Sequence, residues 1–485
     1  MSKTSVTRRQ FLGGSAAAAT GVAAFHIVPS SVLGAKNDKT APSDKLNIAG
    51  VGAGGKGGSD IRGVSKGNNI VALCDVDDGR GGGSFKKFPN AKKYKDFRVM
   101  FDKEHKNIDA VTVSTPDHTH AVAALAAIQL GKHVYVQKPM CRTVYECRML
   151  NEAARYFKVA TQMGNQGHAG EAIRACSEWI WDGAIGDVIE AHCWSDRPIW
   201  PQGIDRPQGA DPVPQAFDWD LWLGPAPFRP FKKDVYHPFK WRGWWDFGTG
   251  AIGDMAVHNF DPAFMALKLD APYAAEAEHG KMTDESPPVW QTITLYFKAR
   301  GKMPPVKLIW YDGCKGEQEV EVTGKDGKKK KKKQRIMNRP PRPEELEPKR
   351  NLGGNGILFV GTKGKILGGG WAGGLRIIPE AKMKEYLEDR KKRGVQPVIP
   401  RAKGGHYGEW LNACKEGNPT GASGNFTYSA PFVESLLVGN LAVRAGEKIA
   451  WDARNLKVTN CPKANQWVRP VFRKGWDKGW DKIKI

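Results

Sequence analysis

Leu46-Asn47-Ile48-Ala49-Gly50-Val51-Gly52-Ala53-Gly54-Gly55-Lys56-Gly57 is the stretch on which the reading of this 485-residue chain turns. Its first half is a short apolar run bounded by glycine, the pattern of a buried strand. Its second half spells G-x-G-x-x-G: Gly52 for a tight turn, Gly54 for close backbone approach to a pyrophosphate, Gly57 for packing the next helix on the strand. The free N–H groups at that helix's start then face the phosphates. An offset match beginning at Gly50 would put the turn inside the strand.

Working outward, Val71-Ala72-Leu73-Cys74 is a second apolar run, and it ends in Asp75, 21 residues after Gly54. An acid there accepts hydrogen bonds from the adenosine ribose and repels a 2′-phosphate, so the expected cofactor is NAD. Arg80 lies close enough to soften that preference and admit NADP. Asp109–Ser114 is a β-branched run ending in Thr115-Pro116-Asp117-His118-Thr119-His120, and an alanine-rich helix follows to Gly131. A further strand, His133–Gln137, delivers Lys138-Pro139. This alternation is the doubly wound parallel pattern, in which ligands lie at the carboxyl ends of the strands. Thr115, Pro116, His120 and Lys138 all occur there.

These residues resemble the Gfo/Idh/MocA oxidoreductase family. Its Gly-rich first turn, T-P-[ND]-x-x-H strand end, E-K-P and later D-x-x-x-H correspond to Gly52/Gly54/Gly57, Thr115–His120, Gln137-Lys138-Pro139 and Asp254-Met255-Ala256-Val257-His258. The match covers residues 45 to about 270. It departs at Gln137, which stands where the family carries Glu and leaves Lys138 without that charged neighbour. The resemblance implies oxidation of a sugar or polyol hydroxyl. His258 would be the acid/base, Lys138 would hydrogen-bond the reacting oxygen, and Asp254 would orient or tune the pair. It also implies a cofactor site at Gly52, Gly54, Gly57, Asp75, Thr115, Pro116, His120 and Lys138.

The expected architecture is α/β: a Rossmann domain at 45–165 with a doubly wound parallel sheet, then a C-terminal α+β domain at 166–485 with a largely antiparallel sheet. Ala172–Trp181 reads as a helix, and Val188–Trp194, 290–297 and 306–311 read as strands. Family members often pair through that sheet's open face, so a homo-oligomer is expected. Residues 217–247 interleave Trp219, Trp222, Trp241, Trp244 and Trp245 with His237, Arg242 and Asp246. Aromatic faces beside hydrogen-bonding groups suit a carbohydrate ring, with His237, Trp241, Arg242 and Trp245 as substrate candidates. The same composition equally suits a Pro-rich loop pinned by aromatic packing, or a subunit contact. His406–Trp410 opens another helix that could approach the site.

Charge enters last. Of the net +23, three charges lie in residues 1–34 and seven in 324–335, leaving +13 spread over the rest. Arg8-Arg9 before a Gly/Ala-rich stretch is the signature of a twin-arginine export signal at 1–34, implying a periplasmic or otherwise exported protein. The run Lys328–Lys333 has no apolar residue and reads as a mobile, lysine-rich insertion near 324–350. Nucleic acid is not an expected partner, since no recognition motif is present, and no run is apolar enough for stable membrane insertion. Eight cysteines show neither C-x-x-C nor zinc-like spacing, so no metal site is expected.

An exported protein meets no soluble NAD pool, which favours a tightly held, recycled cofactor. The readings carried forward are therefore a conventional NAD-dependent dehydrogenase, a redox-neutral NAD-assisted glycosidase or epimerase, and a non-catalytic carbohydrate-binding protein.

Overall fold

Six strands run parallel in the first half: β1 (Asn47–Val51), β2 (Asn69–Cys74), β3 (Lys92–Tyr94), β4 (Ala110–Val113), β5 (His133–Gln137) and β6 (Thr161–Gly164). Their order, β3-β2-β1-β4-β5-β6, reverses direction between β1 and β4. That reversal opens a crevice above the carboxyl ends of the two central strands. The computed structural model describes residues 44–323 and 329–482. The export signal expected at 1–34 lies outside the described residues.

The central strands are buried on both faces: all four residues of Ala110–Val113, the polar Thr112 included, are buried. Helices Asp117–Gln129 and Val144–Phe157 cover the sheet, the second opened by a reciprocal capping box between Thr143 and Glu146.

The second half builds a mixed sheet from β7 (Val188–Ser195), β8 (Ala274–His279), β9 (Trp290–Phe297), β10 (Val306–Thr323), β11 (Lys329–Met337), β12 (Asn355–Gly361), β13 (Lys365–Gly368), β14 (Arg376–Ile378), β15 (Ile449–Asp452) and β16 (Lys457–Val458). β7 and β10 pair in parallel, and every other pairing in this sheet is antiparallel. The helix Phe426–Ala445 lies almost wholly buried and packs on Val144–Phe157 and on β8 and β9. Among the described residues no helix is long and apolar enough to cross a membrane.

The lysine run corrects an expectation. Lys329–Arg335 is not a loose insertion but the return strand of a hairpin, paired antiparallel with Glu317–Thr323. Glu317, Glu319 and Glu321 alternate along β10 and reach Lys333, Lys331 and Lys329 at 3.7, 3.3 and 3.1 Å. The alternating acids of one strand offset the like-charge repulsion that argued against structure. Residues 324–328, including Lys328, lie outside the described part.

Candidate active site

The glycine-rich turn has the geometry its spacing predicts. Gly52 sits at φ +82°, and a Cβ there would lie 2.5 Å from the Ser114 carbonyl oxygen. A Cβ on Gly57 would lie 1.9 Å from the Gly52 carbonyl, so the helix can seat on the strand only without a side chain. A Cβ on Gly54 would lie 2.8 Å from the Arg80 carbonyl oxygen. Asp75 anchors this turn: one carboxylate oxygen accepts from the Ala53 and Gly54 amides at 2.8 and 2.9 Å, the other from the Asp77 amide. Burial raises its pKa against those amide hydrogen bonds. The acid thus shapes the phosphate turn as well as facing the space beside it.

That space is a cleft of about 270 Å³. Gly52, Gly54, Asp75, Thr115 and Pro116 form its Rossmann side, with the cations Lys56, Arg80 and Lys95 around them. Leu221, Trp222, His237, Phe239, Trp241 and Arg242 form the opposite wall. The walls are tied together: residues 76–78 exchange backbone hydrogen bonds with 216–218, and His237 Nε2 lies 2.8 Å from Asp77. The His237 ring stacks on Phe217 with centroids 4.7 Å apart. A cradle that admits no Cβ, beside three cations, fits a dinucleotide pyrophosphate.

Lys138 leaves the end of β5 and donates from Nζ to the backbone oxygen and Oδ1 of Asp254, at 2.6 and 3.0 Å. Asp254 lies in a π-helical turn, Ile252–Ala256, and its Oδ1 also accepts from Arg242 Nε at 3.0 Å. Burial would raise the Asp254 pKa, but the charges of Lys138 and Arg242 hold it well below the usual carboxylate range. Asp254 thus supplies Lys138 with the anionic neighbour that Gln137 does not. Arg242, stacked on Trp241 and Phe239, links this trio to the cleft wall.

One turn beyond, His258 is held well below the usual imidazole range by burial and by the Lys138 charge, against the pull of Asp254. It is therefore neutral at neutral pH. Its Nδ1 lies 2.7 Å from Asn165 Oδ1, and its ring packs on Trp371 at 4.6 Å. Among the described residues no hydrogen bond engages Nε2, which retains solvent access. Asp117 sits close by, buried against the Thr249 hydroxyl, and burial pushes its pKa up to about 7.

Of the expected site residues, Gly57, Lys138, Asp254 and His258 do not themselves line the cleft, and His120 and Trp245 have other surroundings. His120 is a buried clamp, with its ring nitrogens 2.7 Å from the Pro139 and Thr115 carbonyls. It positions the two loops that carry Thr115 and Lys138 and does not line the cleft. Trp245 faces a separate small cavity beside Arg142 and Arg444, and its ring stacks against Arg444. The other aromatics divide: Trp219, Tyr236 and Trp244 form a local core, while Trp241 and Phe239 reach the cleft. His406 turns away to Gln162, but its neighbour Tyr407 donates to Asp60 at 2.7 Å.

Asn165, Trp371 and Asp60 were not anticipated. Asn165 directly follows β6, where the strand-end rule applies. Trp371 is the lone aromatic in Gly368-Gly369-Gly370-Trp371-Ala372-Gly373-Gly374. Asp60 is fully buried and accepts from Ser114, Gln137, Tyr407 and Lys56. That hub explains Gln137: a glutamate there would set a second carboxylate against Asp60.

A family model described as an oxidoreductase-family NAD-binding Rossmann fold matches residues 46–165, and one described as the C-terminal alpha/beta domain of that family matches 199–334. The levoglucosan dehydrogenase of Pseudarthrobacter phenanthrenivorans is 27% identical over 35% of this chain and 35% of its own length. An inositol 2-dehydrogenase of Saccharopolyspora erythraea is 34% identical over 30% of this chain and 44% of its own. The chain thus spans about a third to a half of the length of the curated relatives it matches.

Among solved structures, the WlbA dehydrogenase from Bordetella pertussis in complex with NADH and UDP-GlcNAcA superposes with a TM-score of 0.55 at 16% identity. It covers 84% of this chain and 99% of that one. An inositol dehydrogenase homolog from Azotobacter vinelandii, complexed with NADH and myo-inositol, gives 0.51 at 16% identity, covering 84% and 98%. At such identities the likeness establishes a shared fold.

Proposed function

Because the chain belongs to the Gfo/Idh/MocA family of oxidoreductases, we propose that it takes hydride from a carbinol carbon of a sugar or polyol, with NAD in the cleft as acceptor. The observation that carries this reading is the Lys138–Asp254–Arg242 trio, which joins the end of β5 to the cleft wall. An ammonium has three N–H donors, and Asp254 takes two of them. The third is left to hold the substrate oxygen and stabilise developing alkoxide charge. Neutral His258 then accepts the hydroxyl proton at Nε2. Arg242 and Trp241 offer a hydrogen-bonding group and an apolar face to the ring.

We further infer export through the twin-arginine route carried by Arg8-Arg9, and a cofactor held through successive cycles. The tie between residues 76–78 and 216–218, closed by His237 and Asp77, supports retention, because it straps one wall of the cleft to the other. A retained cofactor favours redox-neutral chemistry, in which a transient oxidation is reversed within each cycle. Two copies are expected to pair through the open face of the second sheet. Protein purified after export should carry close to one nucleotide per chain, identifiable by mass. Nucleotide-free protein active only with added NAD would overturn the retained-cofactor reading and leave a conventional dehydrogenase.

A further inference from the structure

Behind His258 lies a set of largely buried polar groups that the reaction as proposed does not use. Asn165 donates from Nδ2 to the Val257 carbonyl at 3.0 Å and to Asp261 Oδ2 at 2.8 Å. Asp261 is fully buried and also takes the Tyr428 hydroxyl at 2.6 Å and His168 Nδ1 at 3.0 Å. A backbone carbonyl and a carboxylate only accept, so the orientation of the Asn165 amide is fixed. Its oxygen must face His258. That oxygen, 2.7 Å from Nδ1, can only accept, so Nδ1 carries the proton and Nε2 keeps its lone pair.

Trp371 strengthens the arrangement. Its indole nitrogen lies 3.2 Å from Asn165 Oδ1 and 3.1 Å from His258 Nδ1. Since Nδ1 already donates, the indole N–H goes to the amide oxygen, which then accepts twice. Trp371 keeps this pose at φ +53°, a conformation unfavourable for a bulky residue. Gly167 lies beneath it, where a Cβ would come within 2.0 Å of the ring. Strain of this kind persists where the surroundings over-determine it.

We propose that Asn165, locked by Asp261 and braced by Trp371, is a positioning residue that holds His258 as the Nδ1–H tautomer, leaving Nε2 to receive the substrate proton. The assignment rests on the reading of His258 as proton acceptor. The groups facing its ring are Lys138 from the end of β5, Asp254 from the π-turn, and Asn165 and Trp371 from their loops, with Asp261, His168 and Tyr428 behind. Only Asn165 supplies an acceptor to Nδ1, so the charges around the site do not by themselves choose the tautomer.

The test uses full-length protein labelled with 15N-histidine, the His258 signal being identified by its loss in His258→Gln. The two-bond proton–nitrogen spectrum should show Nδ1 protonated and Nε2 bare in the wild type. Asn165→Ala should move the population towards Nε2–H and lower kcat by at least about tenfold, with KM within about twofold. Asp261→Asn, which conserves volume and frees the Asn165 amide to turn over, should move the spectrum in the same direction. A wild-type His258 protonated on Nε2, or an unchanged tautomer in both variants, would overturn the proposal. Wild-type protein inert towards every sugar yet holding the Nδ1–H form would leave the positioning intact and remove the proposed reaction.

Discussion

Restoring the family's glutamate by Gln137→Glu tests why this chain lacks it. Gln137 Nε2 donates to Asp60 Oδ2 at 2.9 Å in a fully buried setting. Two ionised carboxylates at that spacing repel by about 6 kcal/mol at an effective dielectric of ~20. Keeping a proton on one of them costs about 1.4 kcal/mol per pH unit above the ordinary glutamate value of ~4.3, or about 4 kcal/mol at pH 7. Protonation is the cheaper route, so the folded variant holds a proton that its unfolded chain releases. The folded pKa is raised, and stability is fully present below the unfolded value and lost as pH rises. Chemical denaturation should therefore show the variant about 1 kcal/mol less stable than wild type at pH 5 and about 4 kcal/mol less stable at pH 7. A difference independent of pH, or no loss at pH 8, would refute the account of Gln137.

Gly57→Ala places a Cβ 1.9 Å from the Gly52 carbonyl and should weaken NADH binding by about a hundredfold in a fluorescence titration. Gly82→Ala, which meets nothing within 4 Å, should bind like wild type. Asp312 is pushed up to about 7 by burial, despite hydrogen bonds from Gln291 and Trp310, so its contribution to stability is lost as pH rises towards that value. Asp312→Asn should gain about 3 kcal/mol on wild type between pH 5 and pH 8, read from denaturant midpoints, with Asp117 supplying the pH dependence that remains. Replacing Glu317, Glu319 and Glu321 by glutamine leaves the lysines of β11 unopposed. Trypsin should then cut within 329–335 several-fold faster at low salt, with the gap narrowing at high salt.

Much of the site was legible because its chemistry is local in the chain. The Gly52–Gly57 turn, the Thr115-Pro116 strand end and Lys138 each follow a strand whose apolar run marks its own end, and parallel sheets place such ends together. Trp241 and Trp245 were not separable in this way. Trp241 lies within a short 3-10 turn, Lys240–Gly243, and Trp245 just beyond it, so neither helical nor strand periodicity says which faces the cleft. His120 occupies a motif position, but its ring is spent on two backbone carbonyls, a role decided by where Pro139 lies. The lysine run misled because its partner acids lie eight to sixteen residues upstream, outside the run whose like charges were counted. Asn165 and Trp371 meet at His258 from segments up to 206 residues apart, so only the fold brings them together.

The most direct test of hydride transfer at Lys138 and His258 is the nicotinamide absorbance of NAD-loaded protein in a single turnover. The protein is mixed with a panel of cyclitols, hexoses and anhydrosugars. At least one member should produce a rise of up to one reduced nicotinamide per chain, and Lys138→Ala should slow it by about a hundredfold or more. An equal rate in Lys138→Ala, or no absorbance change with any member while NAD is demonstrably bound, would contradict the account.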